Sequence, residues 1–117
     1  MKSHGFIEIN HTADLALRVW GEDFHGLLSQ AAQGLYHLLD VQVIKDTKTD
    51  ISFSIKMDSR EAVLVDFLNE LLYLYEDKGV VIRTFEFSNK AETLEVQGQG
   101  EQTAALARYI KAVTFHN

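Results

Sequence analysis

The stretch VVIRTFEFSNKAETLEVQG, residues 80–98, decides how this chain folds. VVIRTFEF (80–87) and TLEVQG (93–98) are short runs rich in β-branched and aromatic residues, and the polar segment SNKAE between them has turn composition. Strands joined by so short a connection run antiparallel, because a parallel neighbour needs a crossover of a dozen residues or more. The hairpin makes the sheet antiparallel.

Gly79, just ahead of the hairpin, is placed to end a helix in a left-handed cap. That helix is predicted to start near Asp58, where Asp58 and Glu61 have capping-box spacing. Its apolar stripe is Leu64, Phe67, Leu68, Leu71 and Leu74 or Tyr75, and Asp66, Glu70, Tyr73 and Asp77 form a polar face. In front of it Ile51, Phe53, Ile55 and Met57 alternate with Ser52, Ser54 and Lys56, the period of a half-buried strand. The polar segment QVIKDTKTD (42–50) is predicted to be a loop. An earlier helix follows Asp23 as its cap, with Phe24, Leu27, Leu28, Ala31, Leu35 and Leu38 at helical spacing. His25, Ser29, Gln30, Gln33 and His37 fall mostly on its opposite, solvated face.

FIEI (6–9) and LALRVW (15–20) are predicted strands, the second closed by Gly21. IKAVTFH (110–116) is a last one, with Lys111, Val113 and Phe115 on one face. The predicted order is β-β-α-β-α-β-β-β. It fits an α+β two-layer sandwich, a mainly antiparallel β-sheet covered by two amphipathic helices. Residues 1–117 read as a single domain without linker, repeat or low-complexity stretch.

Hydrophobic residues make up 46% of the chain and charged ones 24%, so the composition is that of a globular protein and not of a disordered one. There is no cysteine, which excludes disulfides and thiolate metal sites and fits a reducing, cytoplasmic setting. No apolar leader or membrane-spanning run is present. Eleven Lys and Arg against 17 Asp and Glu give a formal charge of −6, which repels phosphate backbones. No direct nucleic-acid binding is expected, and hard divalent cations would be attracted. Oligomeric state is left open by composition.

The usual catalytic signatures are missing: no Gly-rich phosphate loop, no G-x-S-x-G, no H-E-x-x-H and no thiol nucleophile. Attention falls on HTADLALRVWG (11–21), which sets His11 and Asp14 directly ahead of a strand. Asp14 has two physical readings. One is an Asx-turn, its carboxylate bonding nearby amides. The other is a ligand for Mg²⁺, Mn²⁺ or Ca²⁺, which take carboxylate oxygens. Lys111 divides between a solvent-facing edge charge and a partly desolvated functional lysine among apolar neighbours. His11 and His116 each adjoin a strand end, whereas His25 and His37 read as surface residues. Trp20 and Tyr73 are candidate interface anchors, with core packing their ordinary role.

Three blocks in this order, HTADLALRVWG, LVDFLNELLYLYEDKG and IKAVTFH, resemble the archease family, and the resemblance extends from Phe6 to His116. It implies an α+β sandwich that is not an enzyme but an activator of one. Archeases assist the GTP-dependent tRNA-splicing RNA ligase, promoting its guanylylation and repeated turnover. By this resemblance Asp14 is the metal-binding carboxylate, Lys111 a ligase-stimulating residue, and His11 and His116 supporting residues of the same blocks. The implied cofactor is a divalent ion, calcium, magnesium or manganese. Two departures stand out. Asn10 occupies a position that is usually acidic, and the sequence stops at Asn117, where archeases continue into a segment carrying a second metal-binding acid. The expected metal site is therefore half a site. The rival expectation is a chaperone-like protein-binding modulator that works without metal. A hydrolase built on His11, Asp14 and His116 would lack an evident nucleophile.

Overall fold

The computed structural model describes the backbone of residues 5–10, 15–20 and 23–104, and the side chains of residues 23–44 and 48–104. Seven elements follow one another: β1 Gly5–Asn10, β2 Leu15–Trp20, α1 Phe24–Leu39, β3 Val43–Lys56, α2 Arg60–Lys78, β4 Val80–Lys90 and β5 Thr93–Thr103. They reproduce the first seven elements of the predicted order. The eighth, a strand over 110–116, lies outside the described residues. β1 and β2 pair antiparallel from Gly5 opposite Trp20 to Asn10 opposite Leu15. β3, β5 and β4 form a separate antiparallel sheet with β5 in the middle. The fold is α+β.

Both helices are capped by local chemistry. Asp23 Oδ1 accepts the Gly26 N–H at 2.6 Å, and α1 ends where Asp40 enters the left-handed region at φ 53. For α2 the cap is Ser59 and not Asp58. Ser59 Oγ accepts from Ala62 N–H at 3.1 Å, while Asp58 turns back to accept from Ser59 N–H at 2.9 Å. Two cap-forming residues stand side by side, and one step along the chain decides which reaches the first turn. Gly79 ends α2 at φ 66, as expected.

The core lies between the helices and one face of the three-stranded sheet. α1 contributes Leu28, Ala31, Ala32, Leu35, Leu38 and Leu39, and α2 contributes Val63, Phe67, Leu68, Leu71, Leu72 and Tyr75. Tyr75, not Leu74, completes the α2 stripe, while Leu64 and Leu74 flank it half-buried. Phe67 is fully buried, with ring centroids of Phe85, Phe87 and Phe53 at 5.5, 5.7 and 6.3 Å. Burying such a side chain contributes about 2 kcal/mol. Tyr73 is 51% exposed, so it does not pack in the core.

Residues 43–50, expected as part of a loop, belong to β3. Their register against β5 shifts between Val43 and Lys45 and again between Lys45 and Thr49. At 43–44 and 48–50 the side chains are exposed, and a strand in that setting needs no apolar alternation, which is why its polar letters resemble a loop. Met57 lies just past the strand end, 36% exposed, instead of continuing the apolar row. The hairpin turn is shorter than SNKAE, because β4 runs to Lys90 and β5 begins at Thr93. β5 also continues through Gly98 and Gly100 to Thr103. Those glycines are needed for close approach. A Cβ at Gly98 would strike Ile82 and lie 2.5 Å from Thr84 O, and one at Gly100 would lie 2.5 Å from Ile51 Cδ1.

Candidate functional site

His11, Asp14, Lys111 and His116 all lie outside the described residues, as does their mutual arrangement. The described backbone brings the chain up to the HTAD block from both sides. β1 ends at Asn10, β2 begins at Leu15, and these two residues are register partners. Both strands rest against α1. Among the described residues, no group of three or more His, Asp or Glu side chains is arranged to hold a metal ion.

The described surface has two polar constructions. On the sheet face turned away from the helices, Ser54 Oγ bridges both carboxylate oxygens of Glu95 at 2.7 and 2.8 Å. Thr93 Oγ1 adds a third bond to Glu95 Oε2 at 2.8 Å. The Ser54 bond first, then the Thr93 bond and the Lys90 charge, hold the Glu95 carboxyl below its ordinary range, against a small desolvation. A shallow groove of about 520 Å³ runs beside it, lined by Glu86, Phe87, Ser88, Lys90, Glu95 and Gln97. The second construction joins α1 to β4. Tyr36 is half-buried, and its enclosed hydroxyl accepts from Ile82 N–H at 3.0 Å. Burial drives the Tyr36 hydroxyl well above its ordinary range, the bond from Ile82 opposing only in part.

Of the two helix histidines, His37 is exposed as expected, whereas His25 is not a plain surface residue. Its ring lies 5.3 Å from that of Phe87, and its Nε2 sits 3.2 Å from Asn89 Oδ1, so the first turn of α1 is tied to the end of β4. Nothing in the helical spacing reveals this, because the partners are 64 residues away. Asp66, Tyr73 and Asp77 are exposed and Glu70 half-buried, in line with the polar face expected of α2.

Residues 6–117 match the model of the Archease protein family. The chain belongs to the archease family. Similar relatives include the protein archease of Methanopyrus kandleri, 30% identical over 94% of this chain and 84% of the relative. That of Methanosarcina barkeri is 31% identical over 92% of this chain and 80% of its own length. The solution structure of Methanobacterium thermoautotrophicum protein 1598 superposes with a TM-score of 0.64. It is 22% identical and covers 99% of this chain and 86% of the other, so it speaks for the archease fold alone. No helix among the described residues of this archease is long and apolar enough to cross a membrane.

Proposed function

We propose that this archease is a non-catalytic protein cofactor of the GTP-dependent tRNA-splicing RNA ligase, promoting ligase guanylylation and repeated turnover. Family membership over residues 6–117 carries the reading. The net charge of −6 and the missing catalytic motifs support it, since they favour action through a protein partner over direct work on RNA. Asp14 would supply an oxygen donor for a hard divalent cation, Mg²⁺, Mn²⁺ or Ca²⁺, shared with the ligase. When bound, such an ion neutralises charge on a transferring phosphoryl group. Lys111 would offset charge on the GTP phosphates, and His11 and His116 would position these two groups. Misplacing reacting groups by an ångström can cost about a hundredfold in rate, so positioning alone would make the contribution visible.

The test is a single-turnover guanylylation assay with purified ligase and GTP. Asp14→Ala should fold normally and lose the stimulation, and Lys111→Ala should weaken it. Full stimulation by Asp14→Ala would remove Asp14 from the mechanism. Suppression of client aggregation that ignores both chelator and Asp14→Ala, with no effect on ligase, would replace this reading by a chaperone-like one.

A further inference from the structure

β3 carries the sequence Asp50-Ile51-Ser52-Phe53-Ser54-Ile55-Lys56. About Phe53 this stretch is a palindrome in Ile and Ser, and its two ends carry opposite charges. It is also the regular part of an edge. β3 is hydrogen-bonded to β5 on one side, and among the described residues no strand pairs with it on the other. The register shifts lie before Thr49, and the α2 cap begins at Ser59, so the straight segment between them contains the palindrome.

The direction of the free hydrogen-bonding groups follows from the ladder. Met57 N–H donates to Glu92 O at 2.8 Å, one step beyond the Lys56–Thr93 pair. Antiparallel pairs alternate between bonded and non-bonded, so Ile55, Phe53 and Ile51 turn their backbone groups to β5. Asp50, Ser52, Ser54 and Lys56 then turn theirs outward, and all four side chains are exposed.

From this we infer that the β3 edge is a docking surface for a second copy of this chain, paired antiparallel about a two-fold axis through Phe53. In that register each Ser52 exchanges two backbone bonds with Ser54 of the other copy, and each Asp50 does the same with Lys56. On the outer face the Asp50 and Lys56 side chains meet as opposite charges, twice by symmetry. On the helix side Phe53 faces Phe53 across a close non-bonded pair, and Ile51 faces Ile55. Phe53 and Ile51 are half-buried in the single chain and gain cover. An isologous contact needs a self-complementary surface, and the stretch from Asp50 to Lys56 is self-complementary in side-chain pattern and in charge. The net charge of −6 opposes association at long range, but about 0.15 M salt screens it beyond roughly 8 Å.

Sedimentation velocity on the full chain, from low to high micromolar concentration at physiological salt, tests the pairing. The wild type should show a concentration-dependent doubling of mass. Asp50→Lys and Lys56→Asp should each weaken the dimer by about tenfold, because each turns two attractive pairs repulsive. The double variant Asp50→Lys with Lys56→Asp should return to within about threefold of wild type. Ser54→Pro removes an outward N–H, which an edge strand tolerates, and should leave a monomer with an unchanged circular dichroism spectrum. A wild type that stays monomeric, a double variant weaker than either single one, or a Ser54→Pro protein that still dimerises would each overturn the inference.

Discussion

Replacing Tyr36 by Phe removes one oxygen and leaves the ring in place. That oxygen accepts the Ile82 N–H at 3.0 Å, and Ile82 is only 2% exposed. The amide lies where the β4–β5 register shifts, between Ile82 and Thr84. Without the hydroxyl a buried donor is left unpaired, at a cost of about 1–3 kcal/mol. Unfolding entropy of about 2.1 cal/mol/K per residue gives roughly 0.25 kcal/mol/K for this length, so Tm should fall by about 4–12 °C. A pH signature separates this bond from simple packing. Burial holds the Tyr36 proton well above pH 10, whereas the unfolded chain releases it near 10. Above pH 10 the native state therefore binds more protons than the unfolded one. The stabilisation from this group is complete below pH 10 and declines above it by about 1.4 kcal/mol per pH unit, until the native hydroxyl also ionises. Tyr36→Phe lacks that decline, so the two proteins should converge in stability as the solution becomes alkaline. Thermal unfolding followed by circular dichroism, at neutral pH and in steps above pH 10, measures both effects. Equal Tm values at neutral pH, or parallel alkaline slopes, would refute the role given to the hydroxyl.

Gly98→Ala should lower stability by about 1–3 kcal/mol, read from the urea midpoint, because the added methyl meets the backbone oxygen of Thr84, which has little room to move. Glu95 contributes stability above the unfolded carboxyl range, and the contribution is lost as pH falls through its depressed native value. Glu95→Gln should accordingly flatten the acid limb of the Tm–pH profile while changing neutral stability less; an unchanged acid limb would show that the Ser54 and Thr93 bonds do not act on the carboxylate.

The fold was largely legible because its signals are local and dense. Asp23, Gly79 and the alternation from Ile51 to Ile55 each fix an element within a few residues, and the structure agrees with all three. The misses have a common physical origin. In LVDFLNELLYLY apolar residues occur on nearly every side of α2, so tertiary packing chooses Tyr75 over Leu74 and adds Val63 and Leu72. Along 43–50 the strand is irregular in register and its side chains at 43–44 and 48–50 are exposed, so no apolar period marks it. At Gly98 and Gly100 the letters suggest a strand end. In fact the missing side chains admit Ile82, Ile51 and Val80 from the two neighbouring strands.

The same contrast explains why the proposed site could be approached only by resemblance. A helix cap acts over three residues and leaves a spacing that can be searched for. Asp14 and Lys111 stand 97 positions apart by their numbers, one at each end of the chain. A carboxylate and a lysine at that separation produce no local pattern, and each alone has an ordinary structural reading as a turn or an edge charge. β3 lies between these extremes. Its palindrome is local and visible in the letters, yet it acquires meaning only once the sheet order leaves that strand, among the described residues, at an edge and the ladder phase turns alternate amides outward. A sequence pattern becomes a binding surface when topology exposes it, so the same seven residues in a central strand would signify nothing beyond core packing.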